Sequence, residues 1–258
     1  MTPFALKRPT SLADATAAFT GDAAWLAGGH TLIPAMKARL RAVETLVDLS
    51  QIPGLDSITR DADRLVIGAM VRHATVADSP VVKAAIPGLA ALAALIGDPQ
   101  VRNRGTIGGS IANNDPAADY PAALLALDAI IETTHGTHAA ADFFQGMFTT
   151  VLAEGELVTS ISFRVPGAST YAKHRHPASR YALAGVYVAR FPEGARIAVT
   201  GATTAVTRWA AAETAIDGGT PLPASLESED LATDIHASAE FRAHLAGVML
   251  RQAVATSG

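Results

Sequence analysis

The amino-acid sequence predicts a protein of mixed helices and strands with a domain boundary near residue 166, and three observations support this. With 258 residues, 49% of them apolar and 17% charged, the chain can bury a sizeable core. Short β-branched runs bounded by turn residues alternate with stretches of helical period. The Pro-Gly-Ala-Ser segment at residues 166–169 is the best candidate for a linker, so we place the domain boundary there.

Three helical regions are predicted in the first half of the chain. Ser11, with Asp14 three residues later, marks the start of a short helix. A second helix is predicted over residues 31–40, and the residues that would share its buried face are Leu32, Met36 and Leu40. Residues 80–96 form an apolar helical stretch that the Pro-Gly pair at 87–88 should break in two.

The expected strands are short, and residues 97–120 differ from the segments on either side. Strands are predicted at residues 25–27, 45–49, 64–68, 128–134, 156–166, 181–191 and 196–205. Turn formers are so frequent between 97 and 120 that a long, functional loop is expected there. The last helix is predicted over residues 238–254, and its apolar stripe consists of Phe241, Leu245, Val248 and Met249.

Composition and motifs exclude several classes of function. The net charge is −4 and the 20 Lys and Arg residues form no basic block, so nucleic acid is not an expected partner. The absence of cysteine excludes disulfides and any iron–sulfur cluster ligated by this chain. The histidine pairs at 135–138 and 174–176 lack a nearby third ligand, so no metal site is expected. No stretch is long enough to span a membrane and no apolar run follows the first positive charges, which predicts a cytoplasmic protein.

Residues 27–31, Ala-Gly-Gly-His-Thr, lie between a predicted strand and a predicted helix, and we call them the first glycine turn. Paired glycines let a ligand approach the backbone without meeting a Cβ atom. Successive backbone N–H groups in such a turn form a concave site for an anion. The turn therefore suits a phosphate group, although a plain strand-to-helix connector explains the same residues.

Residues 105–110, Gly-Thr-Ile-Gly-Gly-Ser, form the second glycine turn. Its three glycines and the hydroxyls of Thr106 and Ser110 offer backbone and side-chain donors to a pyrophosphate, and Asp119 can accept from sugar hydroxyls. An ordered polar loop with Asx-turns is the alternative. Neither turn fits the Rossmann or P-loop motif. Two such turns, about eighty residues apart, suggest an elongated dinucleotide lying between two subdomains.

The two glycine turns together resemble those of a known family. With the Asp-Pro-Ala-Ala-Asp segment at 115–119, and the Ile-Gly-Ala segment at 67–69 before Arg72 and His73, they are similar to the medium subunit of the xanthine dehydrogenase and carbon monoxide dehydrogenase family. The resemblance implies a vanillyl-alcohol-oxidase-type (PCMH) fold, in which two α+β subdomains hold FAD between them.

The resemblance also implies a division of the chain into domains. The FAD-binding domain would span residues 1–166, with subdomains at about 1–53 and 54–166. A smaller carboxy-terminal domain of sheet and helices would span residues 170–258.

The same resemblance implies a set of FAD-binding residues. The segment 25–32 would wrap the pyrophosphate, the segment 106–110 would approach it from the second subdomain, and Asp119 would contact ribityl or ribose hydroxyls. The full set is Trp25, Leu26, Ala27, Gly28, Gly29, His30, Thr31, Leu32, Ile96, Thr106, Ile107, Gly108, Gly109, Ser110, Asp119, Ile161 and Lys173. No catalytic side chain is expected, because the redox chemistry belongs to the flavin.

In this family, a large partner chain with a molybdenum cofactor (molybdopterin) oxidises the substrate, and a small chain with [2Fe–2S] clusters relays electrons to FAD. The resemblance therefore implies an oxidoreductase subunit that passes electrons from FAD to an external acceptor, within a dimer of heterotrimers. Two alternatives stay open: a stand-alone flavin oxidoreductase of the same fold, and a cofactor-free subunit that serves only assembly.

Overall fold

The amino-terminal segment forms a small parallel sheet in the computed structural model, which describes residues 1–256. Its elements in chain order are β1 (Ala5–Lys7), α1 (Leu12–Ala18), β2 (Ala23–Leu26), α2 (Leu32–Lys37) and β3 (Thr45–Asp48). Strand β3 lies between β1 and β2 and is parallel to both. The Ser11 hydroxyl accepts a hydrogen bond from the backbone N–H of Asp14 (3.1 Å), which confirms the predicted start of α1.

A second sheet is antiparallel and borders the largest hydrophobic core. The elements of this part are β4 (Ile58–Asp61), β5 (Arg64–Gly68), α3 (His73–Asp78), α4 (Pro80–Ala85), α5 (Pro87–Ala94), α6 (Pro99–Arg102), α7 (Ile107–Asn113), α8 (Tyr120–Ala126), β6 (Ile130–Thr133), β7 (Thr137–Ala139), α9 (Ala140–Phe143), β8 (Phe144–Gly146), β9 (Thr149–Thr150) and β10 (Val158–Arg164). The sheet order is β4-β5-β10-β6-β7, and β8 pairs with β9 in a separate hairpin. Along the chain, helices α3 to α8 therefore all lie between β5 and β6, which belong to the same sheet.

The third sheet belongs to the carboxyl end. Its elements are β11 (Ala168–Arg175), β12 (Ala182–Phe191), β13 (Gly194–Thr200), β14 (Thr207–Arg208), α10 (Ala210–Asp217) and α11 (Ala239–Ala255). In β12, Tyr187 and Ala189 join the core shared with the second sheet, whereas Val186 and Val188 join the core that includes Leu250 of α11. Strand β12 is thus buried on both faces, which explains its continuous apolar sequence.

Most predicted elements are confirmed. Each predicted strand has a counterpart, the helical stretch breaks between α4 and α5 as expected, and β12 and β13 form the predicted hairpin. The short strands β1, β4 and β14, the strands β7 to β9, and the long strand β11 were missed. Ala168 already begins β11, so the proposed linker at 166–169 joins two strands directly. The final two residues of the predicted carboxy-terminal domain, 257–258, lie outside the described residues.

The second predicted helix is shorter than expected. Helix α2 ends at Lys37, and Arg39 takes a left-handed conformation with φ of 60° that turns the chain away. Met36 is 1% exposed, but Leu40 is 83% exposed and does not share its face. In α11, Phe241 is 45% exposed and stands apart from the buried Leu245 and Met249.

The prediction of a long irregular loop at 97–120 was wrong, because this segment contains α6 and α7. The Asp98 carboxylate accepts from the N–H of Val101 (2.9 Å), and the Thr106 hydroxyl accepts from the N–H of Gly109 (3.2 Å). Both bonds satisfy donors at helix starts. The helices have only four and seven residues, too few for a visible helical period.

Candidate functional site

A cleft of about 730 Å³ is lined by residues from all three sheet-containing parts of the chain. It is bounded by the first glycine turn, by the segment from Ile96 to Asp119, by residues near 152–158, and by the loop between β11 and β12. This volume lies within the range of about 300–1,000 Å³ found for small-molecule and cofactor sites.

The cleft collects most of the predicted binding residues. Those that line it are Trp25, Ala27, Gly28, Gly29, His30, Thr31, Leu32, Ile96, Thr106, Gly108, Gly109, Ser110 and Asp119. Leu26 packs beside Met36, and Ile107 and Ile161 are fully buried in the largest core. Lys173 does not line the cleft, but its ammonium group contacts Asp119.

The two glycine turns pack directly against each other. A Cβ atom at Gly28 would overlap the backbone carbonyl of Arg104 and come within 2.8 Å of the Gly105 Cα. Gly29 has φ of 74°, a left-handed conformation that favours glycine. The first turn therefore needs glycine both for its shape and for its contact with the second turn.

The first glycine turn has free backbone donors. The N–H groups of Gly29, His30 and Thr31 have no hydrogen-bond partner within residues 1–256. In addition, the Trp25 indole Nε1 is buried without a partner in the same range, while its ring packs against Phe19 with centroids 4.3 Å apart. Donors left without partners beside a cleft suit an anionic ligand.

Four backbone donors of the second glycine turn are already bonded to other protein groups. The N–H groups of Ile107 and Gly108 donate to the carbonyls of Val71 (3.0 Å) and Ala69 (2.9 Å). Those of Gly109 and Ser110 donate to the Thr106 hydroxyl and carbonyl. The expectation of several free backbone donors here is therefore not met. The turn instead presents its hydroxyls to the cleft and lets a ligand come close to its backbone.

Asp119 is a buried carboxylate held by the carboxy-terminal sheet. It accepts hydrogen bonds from the Tyr171 hydroxyl (2.5 Å) and from the Lys173 Nζ (2.9 Å). Burial raises the pKa of Asp119, and the neighbouring Lys173 and Tyr171 act in the opposite direction. The Thr200 hydroxyl donates to the Ala118 carbonyl (2.6 Å), so β13 also fixes this segment. Tertiary contacts thus hold Asp119 in the wall of the cleft.

Several lining residues were missed because no sequence motif marks them. Arg41 and Met70 lie on loops of the first two parts of the chain, and Arg180 and Tyr181 come from the loop between β11 and β12. His73 also lines the cleft, although in the sequence it marked only the family resemblance. The Arg72-His73 pair was the only sequence signal that pointed to His73, and no role in binding was assigned to it.

The residues present fit FAD. The first turn offers N–H donors for a pyrophosphate, Thr106 and Ser110 add hydroxyls, and Asp119 offers carboxylate oxygens for sugar-type hydroxyls. No group of three or more histidine and acidic side chains in the described chain is arranged to hold a metal ion. No helix among residues 1–256 is long and apolar enough to cross a membrane.

Comparison with known proteins agrees with this fit. Residues 2–166 match the family described as the FAD binding domain in molybdopterin dehydrogenase. The carbon monoxide dehydrogenase medium chain of Afipia carboxidovorans is 39% identical over 97% of this chain and 95% of its own length. The nicotine 6-hydroxylase medium subunit of Paenarthrobacter nicotinovorans is 34% identical, with the same shares covered.

Solved structures show the same similarity over nearly the full length. A carbon monoxide dehydrogenase from Hydrogenophaga pseudoflava, which lacks the Mo-pyranopterin moiety of its molybdenum cofactor, superimposes with a TM-score of 0.87 at 33% identity. That match covers 100% of this chain and 98% of the other. Quinoline 2-oxidoreductase from Pseudomonas putida 86 gives the same TM-score at 26% identity. That match covers 99% of this chain and 97% of the other.

Proposed function

This chain belongs to the family of FAD-binding domains of molybdopterin dehydrogenases, and we propose that it passes electrons from an iron–sulfur partner chain through FAD to an external acceptor. It is a FAD-binding medium subunit of the molybdenum hydroxylase type and an oxidoreductase component. FAD supplies the redox chemistry, since it can accept and release electrons singly or in pairs. The chain's own task is to bind and orient that cofactor.

The observation that carries the proposal is that two glycine turns and Asp119 face one cleft. Free N–H groups at Gly29 and His30 would hold the anionic pyrophosphate. The hydroxyls of Thr106 and Ser110 would bind it from the opposite wall. Asp119, fixed by Lys173, would orient sugar-type hydroxyls. These contacts would set the position of the flavin.

The partners follow from what this chain lacks and from its relatives. Protein-bound iron–sulfur clusters need thiolate ligands, and this chain contains no cysteine, so any cluster is on another chain. Relatives named as a medium chain or a medium subunit support an assembly with a small [2Fe–2S] chain and a large molybdopterin chain. A dimer of such heterotrimers, the domain limits 1–166 and 170–258, and a cytoplasmic location are further parts of this proposal.

The first experiment is the visible absorption spectrum of the purified chain, alone and co-expressed with small and large partner chains. We expect FAD to be released on denaturation in a near one-to-one ratio to the chain. A correctly folded but colourless chain in both preparations would contradict the proposal and favour an assembly subunit. Substrate oxidation by the isolated flavin-loaded chain would instead favour a stand-alone oxidoreductase.

A further inference from the structure

His73 lies directly beneath the second glycine turn. It begins helix α3, and its backbone N–H donates to the carbonyl of Gly105 (3.0 Å). A Cβ atom at Gly105 would stand 2.5 Å from the His73 Nε2. The side chain is buried, yet it forms part of the wall of the cleft. The imidazole therefore sits where the two glycine turns meet.

Within residues 1–256, no protein group forms a hydrogen bond with this imidazole. The Nδ1 atom is buried and has no hydrogen-bond partner in the part of the chain that the structure describes. Such groups are rare, because burying an unpaired polar atom is costly. Because Nδ1 has almost no accessible surface, a ligand in the cleft would reach the other ring nitrogen, Nε2, which faces Gly105 in the cleft wall and also makes no hydrogen bond within residues 1–256.

The groups that the described residues bring to bear on the His73 ring are aromatic, basic or apolar. From α8, the Tyr120 ring lies 5.4 Å from the His73 ring between centroids, and its hydroxyl is buried with no hydrogen-bond partner among the described residues. From the first glycine turn and from α6, His30 and Arg102 lower the pKa of His73. Helix α5, which packs against α3, is apolar. The carboxylate of Asp119, the residue before Tyr120, accepts hydrogen bonds from Tyr171 and Lys173.

We infer that His73 hydrogen-bonds the pyrophosphate of bound FAD and takes up one proton from solvent as FAD binds. This inference rests on the proposed function, because it assumes that the pyrophosphate lies between the glycine turns. The bound phosphate oxygens accept the hydrogen bond, and the proton stays on the imidazole. Binding of the cofactor thereby becomes linked to pH.

The direction of the linkage follows from the surroundings. Burial, with His30 and Arg102, lowers the pKa of His73 to about 4, so the free chain holds a neutral imidazole at neutral pH. A nearby dianion favours the charged form and raises the pKa of His73 in the complex. Between the two pKa values binding takes up protons, so FAD affinity increases as pH falls through that window. The increase is at most about tenfold per pH unit, the limit for one linked proton.

The test is titration calorimetry of the flavin-free full chain with FAD at about pH 6, near the ordinary histidine pKa. Two phosphate-free buffers with different ionisation enthalpies give the number of protons taken up. We expect uptake in the wild-type chain, none in His73→Gln, and retained uptake in His30→Gln. Binding by the wild-type chain without proton uptake would overturn the inference while leaving the proposed function intact, as would uptake that persists in His73→Gln. Failure of the wild-type chain to bind FAD would count against the proposed function itself.

If the His73→Gln variant does not fold, a second measurement on the wild-type chain tests the same inference. Histidine side-chain NMR of the wild-type chain reports the protonation state of each imidazole directly. We expect the His73 signals to change from the neutral to the cationic pattern when FAD is added at the same pH. A neutral pattern in both states would overturn the inference.

Discussion

The two glycine turns look alike in the sequence but serve the cleft differently. In the first turn, the N–H groups of Gly29 and His30 have no partner within the described chain. In the second, the N–H groups of Gly108 and Gly109 are taken by Ala69 and Thr106. Glycine content alone therefore does not reveal which backbone donors a ligand can use. The first turn offers donors, whereas the second allows close packing.

Gly28→Ala should have the largest effect, because it separates the two turns. The added methyl group would overlap the Arg104 carbonyl, a backbone atom that cannot rotate away. We expect loss of FAD binding and a decrease in the free energy of unfolding of about 1–3 kcal/mol, as for other overpacked sites. Flavin content per chain and urea unfolding measure both effects. Gly167→Ala, where the nearest neighbour is 3.5 Å away, is the matched control.

Gly109→Val should abolish FAD retention with a smaller loss of stability. A Cβ atom here would lie 2.9 Å from the Thr106 Oγ1 and would present a branched side chain to the cleft. The neighbouring hydroxyl can rotate, so the stability cost should stay near the loss of one helix cap, about 1 kcal/mol. Flavin absorbance after reconstitution is the measurement. Normal flavin content would show that this turn does not face the cofactor.

Thr106→Ala tests whether the second turn is mainly structural. The variant loses the hydroxyl that accepts from the Gly109 N–H, so we expect destabilisation by about 0.5–2 kcal/mol. FAD affinity should fall only severalfold. Thr106→Ser should restore both properties, since it keeps the hydroxyl. Unchanged stability of the alanine variant in urea would contradict the capping role.

Ser110→Ala should have the smallest effect, and it should change FAD affinity but not the stability of the fold. The Ser110 side chain makes no hydrogen bond among the residues described, yet it lines the cleft. Loss of one hydrogen bond to FAD corresponds to about 0.5–1.5 kcal/mol, or roughly a 2- to 10-fold weaker affinity. The unfolding midpoint of the flavin-free chain should not change. A shift in that midpoint would mean that the hydroxyl supports the fold instead.

Local signals predicted much of the fold. The Pro-Gly pair at 87–88 ends one helix and begins another because proline cannot continue the first. The Ser11 cap was visible from residue spacing alone. Helices α6 and α7 were missed, since four and seven residues are too few to show a period. Strand β11 was missed because its start coincides with the turn formers at 166–169.

The sequence by itself determined that the chain has two glycine turns, an acidic residue after the second, and a family resemblance that the comparisons confirm. Only the tertiary structure decided which N–H groups stay free, because Ala69 and Val71 are about forty residues from their partners in the chain. It also decided that Lys173 and Tyr171 hold Asp119 from another sheet. Hydrogen bonds between distant segments depend on packing, and no local pattern specifies them.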